Sequence, residues 1–295
     1  MNPTEAAAAV RQAVEARGAE AAVPMLERVV AWSDRPVEAL RASLTDVYAG
    51  GHLAAVVDPL AERAEQGEAL WLYALGFAYS LVGPGGYPQA LKLFEQALGV
   101  EPSMKWGHYS QGFIWHEMGQ HKDARCAYER ALDLDPHFVM ALYNLGVVHQ
   151  SSGNRAAAQA CFERAVSAEP TYSPAWVGLG TCRELADDVE GALRYFEHAL
   201  NVQPTATVLF HAALGWEKQG DVGRAVSYLV RASQLEPESA RICANLGAVM
   251  ARAGHSDDAV TWYRKALDLE PHSPRVQFNL GRLLMGMGRE ADSAA

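Results

Sequence analysis

A chain of 295 residues that is 49% hydrophobic and 20% charged, with only 14 prolines, can bury a large apolar surface and is not a disordered polymer. Its formal charge of -10 repels phosphate backbones and anionic lipid head groups, so neither nucleic acid nor a membrane is an expected partner. The alanine run near the amino terminus is broken by Arg11 and Glu15, and no apolar stretch reaches the roughly 18 residues of a spanning helix; a cytoplasmic location is the expectation.

Residues 1–68 are helical in composition but poorly patterned, with helices predicted near 4–17, 22–32, 37–49 and 53–65. From residue 69 onward the pattern sharpens. Pro102, Pro136, Pro170, Pro204, Pro237 and Pro271 follow one another at intervals of 34, 34, 34, 33 and 34 residues. Each stands one residue beyond an amphipathic run such as AYERALDL or YRKALDL, where a proline stops a helix.

Other columns keep the same step. Gly146, Ala158, Phe162, Ala165 and Pro170 recur as Gly112, Ala124, Tyr128, Ala131 and Pro136; as Gly180, Ala192, Phe196, Ala199 and Pro204; and as Gly247, Ala259, Tyr263, Ala266 and Pro271. Ala213, Ala225, Leu229 and Ala232 keep the register with substitutions. Small residues recurring beside one large ring predict two closely approaching helices. Gly119, Gly153, Gly220 and Gly254 fall midway, where the chain must reverse, so each unit is a helical hairpin. Two departures are local: GPGGYPQ, residues 83–89, lengthens the first turn, and Asp187 stands where the fourth unit should carry its turn glycine.

These columns resemble the tetratricopeptide repeat, with residues 141–170 the fullest match. The resemblance implies an all-α fold, a right-handed superhelical solenoid of antiparallel helix pairs. Residues 69–272 would hold six repeats, and 273–295 the first helix of an incomplete seventh with a tail. Pro36 lies 66 residues before Pro102, two lengths of 33, so residues 1–68 are expected to be two degenerate repeats capping the stack.

In such repeats the first helix of each pair lines a concave groove, and two columns on it lie four residues apart on one stripe. Three residues before the glycine column stand Tyr73, Tyr109, Tyr143, Val177, Phe210, Ala244 and Phe278, and one residue after it Phe77, Phe113, Val147 and Thr181. Two residues before the glycine come Asn144, Asn245 and Asn279, with Ser110, Gly178 and His211 at equivalent places. The asparagines resemble a ladder that holds a peptide backbone in tetratricopeptide superhelices, since an amide donates and accepts at once. Expected partner-binding residues are therefore Tyr73, Phe77, Tyr109, Phe113, Tyr143, Asn144, Phe210, His211, Asn245, Phe278 and Asn279. The family's carboxylate clamp, with Lys and Asn one turn apart, has no counterpart at these columns. Glu117, Glu184 and Glu217 on the same helices favour an apolar or basic partner over an acidic one.

No nucleophile elbow, phosphate loop or dinucleotide fingerprint occurs, so an enzyme is not expected and no cofactor is implied. His116 and His121 in HEMGQH are five apart with the turn glycine between them, which reads as two solvated turn histidines and not a metal site. Cys126, Cys161, Cys182 and Cys243 form no CxxC pair and are expected as buried small hydrophobes. The expected function is an adaptor binding an extended peptide or protein partner in the groove. Two alternatives are the substrate-recruiting region of a larger enzyme, such as a glycosyltransferase or hydroxylase, and a homo-oligomeric scaffold that self-associates through its C-terminal helix.

Overall fold

The computed structural model describes residues 3–288, which form α-helices joined by short turns; among the described residues there is no strand. The fold is all-α and of the tetratricopeptide-like α-α superhelix class. No described helix is long and apolar enough to cross a membrane. The chain divides into two compact units, one running to Ser152 and one from Gly153.

The first unit begins with α1 (Pro3–Arg17), a 3-10 turn (Ala19–Ala21), α2 (Ala22–Trp32), α3 (Pro36–Ala49) and α4 (Leu53–Ala64), close to the predicted bounds. Their pairing differs from a pair of degenerate hairpins: α3 packs most extensively against α1 and little against α4. Val10 and Val14 of α1 are buried, as are Leu40, Leu44 and Val47 of α3, and Arg11 Nε lies 3.3 Å from Asp46 Oδ2. This region carries no small-residue column to seat a ring, so its helices pair by aliphatic faces. Two regular hairpins follow, α5 (Ala69–Leu81) with α6 (Tyr87–Val100) and α7 (Lys105–Glu117) with α8 (His121–Leu134), then α9 (Val139–Ser151).

The second unit starts with α10 (Arg155–Ala168) and continues through three hairpins. These are α11 (Ser173–Glu184) with α12 (Val189–Val202), α13 (Ala206–Lys218) with α14 (Val222–Leu235), and α15 (Ala240–Arg252) with α16 (Ser256–Leu269). Its last described helix is α17 (Pro274–Gly286).

The glycine column is explained by distance. A Cβ at Gly76 would stand 2.9 Å from the Phe94 ring, at Gly112 2.8 Å from Tyr128, at Gly180 2.3 Å from Phe196 and at Gly247 2.9 Å from Tyr263. Only hydrogen fits there, so each ring sits against the backbone of the facing helix. The exception supports the rule: where Ala213 replaces glycine, the ring is replaced by Leu229, and both are buried in one cluster.

The turns repeat equally closely. Gly119, Gly220 and Gly254 have φ of 73, 84 and 84°, and Asp187 takes the same left-handed conformation at 58°. In each of these turns the next amide reaches back five residues, as in Gln120 to the Trp115 carbonyl (2.8 Å) and Asp188 to that of Arg183 (3.0 Å). That Schellman closure satisfies the helix end. The residue donating this bond then starts the second helix: Asp188 and Asp221 accept from the amides of Gly191 (2.8 Å) and Arg224 (2.9 Å). At the other end each ruler proline follows the residue that caps the second helix. That capping residue is pushed out of the helical region, as for Glu169 at φ -142°, ψ 92°.

The cysteines divide. Cys161, Cys182 and Cys243 are buried, but Cys126 is exposed, against expectation. Its column, two residues after the recurrent alanine of the second helix (Ala124 in its own repeat), holds Lys92, Ala160, Arg194, Ser227 and Thr261, all exposed, so the position faces away from the partner helix.

Gly180→Ala should lower stability by ~1–3 kcal/mol, because the new methyl overlaps the Phe196 ring. Adding Phe196→Leu should recover part of that loss by recreating the Ala213 and Leu229 arrangement. Urea unfolding midpoints of the two single variants and the double variant decide it; losses that simply add would refute the steric account.

Candidate functional site

The first helices of the early repeats present the expected aromatic stripe, but much of it is already used within the protein. Tyr73, Tyr109 and Phe77 are buried, Tyr143 is half-buried, and Phe113 is 39% exposed. The Tyr73 hydroxyl receives a hydrogen bond from Arg41 Nη1 of α3 (2.7 Å) and shares another with Ser110 Oγ (3.1 Å). Asn144 Nδ2 donates to the Tyr109 hydroxyl (3.0 Å). Burial raises the Tyr109 phenol above its ordinary pKa, with Arg41 and Asn144 opposing, and burial raises that of Tyr143 as well.

One rule covers both hydrogen bonds. The polar residue two places before the glycine bonds the tyrosine three places before the glycine of the preceding repeat. In this unit the polar column therefore joins neighbouring repeats, and Asn144 keeps Oδ1 as an acceptor after its amide nitrogen is engaged.

In the second unit the preceding repeats offer no hydroxyl at that place, and the polar column behaves differently. His211 follows a repeat carrying Val177; its Nδ1 is buried without a hydrogen-bond partner and its ring lies 5.5 Å from that of Phe196. Asn245 follows a repeat carrying Phe210 and donates instead to the Arg241 carbonyl of its own helix (2.7 Å). Phe210 is buried, with the Arg241 guanidinium 4.4 Å from its ring centre. Phe278 is 68% exposed, and half-buried Asn279 joins Asn245, Tyr263, Arg252, Arg275 and Arg282 around a recess of ≈ 680 Å³.

The family model described as TPR repeat matches residues 112–153, and two described as tetratricopeptide repeat match 139–172, and 217–274 with 251–295. The chain is a tetratricopeptide repeat protein. No curated protein matches it in sequence. Among solved structures, a chain of the APC/C hetero-tetramer Cut9-Hcn1 is similar with a TM-score of 0.73 and 18% identity; the alignment covers 90% of this chain and 52% of that one. The chain thus spans about half the length of that relative. PilW, a type IV pilus biogenesis factor, gives 0.64 at 19% identity, covering 72% and 98%. A tetratricopeptide repeat protein from Parabacteroides merdae gives 0.64 at 17%, covering 84% and 98%. These identities speak to the fold.

Within this tetratricopeptide frame, two of the acids that favoured a basic partner are neutralised across repeats. Lys218 Nζ lies 2.6 Å from Glu184 Oε1, and Arg252 pairs with Glu217. His116 and His121 are half-buried, their rings 5.8 Å apart across the turn, and burial lowers the pKa of His116. Nothing in the repeat columns points to Arg41, because it belongs to the unpatterned region before them. The link from Asn144 to Tyr109 had a signal, a tyrosine followed one repeat later by a polar residue, visible twice in the first unit.

Two tests follow from these contacts. Asn144→Leu should cost ~1–3 kcal/mol by orphaning the Tyr109 hydroxyl, whereas the Asn144→Leu, Tyr109→Phe double variant should recover most of it. A thermodynamic cycle from chemical denaturation reads the coupling, and strict additivity would sink the inter-repeat bond. His211 is held below its ordinary pKa of 6.5, first by burial and then by Arg241, with Glu184 opposing. The unfolded chain therefore binds that proton first, so the His211 contribution is complete above pH 6.5 and declines as pH falls through 6.5 towards the folded value. His211→Leu should lose less stability than the parent between pH 7 and 5; identical pH slopes would contradict the assignment.

Proposed function

We propose that this tetratricopeptide array is an interaction scaffold, not a catalyst, and that it binds a protein partner as an extended segment along the face of its first helices. The observation that carries this reading is the apolar exposure left on that face. Phe113 is 39% exposed although the interior of its hairpin is already filled by a separate column, that of Tyr128. An aromatic kept on the surface beside amides that can still accept hydrogen bonds suits an extended main chain with alternating anchors. Half-buried Tyr143 would border a segment bound to the first unit, and half-buried Asn245 and Asn279 one bound to the second; Tyr73, Tyr109 and Phe210 act through the shape they give to each face. With Glu184 and Glu217 paired, apolar character is the better supported preference of the partner.

The array carrying Tyr143→Ala or Asn245→Ala should retain its helical circular dichroism yet capture a co-purifying partner at least several-fold less well than the parent. Arg194→Ala on the opposite face of α12, where the side chain is 73% exposed, should leave capture unchanged. Capture that depends on Arg194 and ignores Tyr143 and Asn245 would place the interaction elsewhere.

A further inference from the structure

Two arginines of the N-terminal region meet carboxylates. Arg11 lies beside Asp46, and Arg63 pairs with Glu27 and Glu68 at 2.8 and 2.9 Å. Arg41 is different: none of the ion pairs among the described residues includes it. Its guanidinium instead sits 4.3 Å from the ring centre of Phe77, 4.5 Å from Trp106 and 5.6 Å from Tyr109, and Nη1 is fixed by the Tyr73 hydroxyl and by Ser110 Oγ (3.2 Å). A guanidinium stays charged in a protein and carries five N–H donors. Here the charge is half-buried among rings, held by neutral acceptors only, with Nε and Nη2 making none of these bonds.

The cation borders a recess of ≈ 360 Å³ whose other walls include Phe77, Leu81, Tyr87 and Phe113. Phe113 forms its exposed rim. Such a wall pairs one fixed positive charge with apolar surface, and a single guanidinium is balanced by one negative charge. Rings and hydroxyls already hold Arg41 in place, so a ligand need not order a floppy side chain before binding it.

We propose that this recess binds one carboxylate of the partner segment: the carboxylate accepts from Arg41, and an apolar side chain next to it seats against Phe113. The proposal rests on the scaffold reading above and gives that partner a local chemistry. The carboxylate belongs either to a chain terminus or to an acidic side chain, and both present the same bidentate geometry to a guanidinium. The anchoring cation comes from α3, ahead of the repeats, which separates this recess from a clamp built of lysines on the first repeat helices.

Three small probes test it on the full chain, followed through the indole N–H signal of Trp106: N-acetylphenylalanine, with a terminal carboxylate; N-acetyl-glutamyl-phenylalaninamide, with a side-chain carboxylate; and neutral N-acetylphenylalaninamide. At least one carboxylate probe should bind roughly tenfold more tightly than the neutral one, and whichever does identifies the source. Arg41→Gln should abolish that preference with helicity retained. Phe113→Ala, which alters the exposed rim and none of the buried network, should weaken all three probes. Equal binding of charged and neutral probes, no binding by about 10 mM, or a preference that survives Arg41→Gln in the folded chain would overturn the proposal. Should Arg41→Gln not fold, the parent's preference and the effect of Phe113→Ala decide. Failure here leaves capture through Tyr143 and Asn245 standing, and failure of that capture leaves the probe result standing.

Discussion

A ring pressed against a glycine sets the spacing on which everything else in the repeats depends. Because Tyr128 stands where a methyl on Gly112 would be, the two helices of that hairpin are close enough for the alanines at Ala124 and Ala131 to be fully enclosed. A methyl at the glycine would push the ring out and uncover both alanines, and a smaller residue in place of the ring would leave a void. The Ala213 and Leu229 pair shows that the volume is conserved while its division between the helices is not. This is why the first helix can spend its outward stripe on residues other than core: Phe113 stays accessible because the hairpin interior, filled by Tyr128, does not need it.

The repeats were largely legible in the sequence because their determinants are local and periodic. A proline one residue past a helix end, a left-handed residue at the turn and a small residue opposite a ring each act within about thirty positions, and each recurs. Asp187 could be read as a turn residue for the same reason, since aspartate tolerates the conformation that glycine otherwise provides. The first four helices could be bounded but not paired: their aliphatic faces fit more than one neighbour, and α3 settles on α1.

The candidate site was legible only as a stripe. Which of its residues face solvent depends on what lies across from them in the next repeat or before the first one, and period alone carries none of that. Tyr73 looks like Tyr143 in the alignment of columns, yet one is capped by an arginine 32 residues earlier in the chain and the other is half-exposed. The same holds for charge. Glu184 and Glu217 read as free acids, each on its own first helix, and prove to be halves of pairs with the next repeat.

The hydrogen bonds that run from one repeat's polar residue to the preceding repeat's tyrosine make the order of the modules part of the fold's specification. The pairing of a ring with a small residue recurs within the hairpins and does not say which repeat follows which, so a reshuffled chain would retain it. It would also set Asn144 behind a repeat with no hydroxyl, or bring a tyrosine in front of His211, and each exchange would strand or pair a buried polar atom differently. Neighbours in the first unit are thus matched through two hydrogen bonds, in the way keyed parts favour one sequence of assembly.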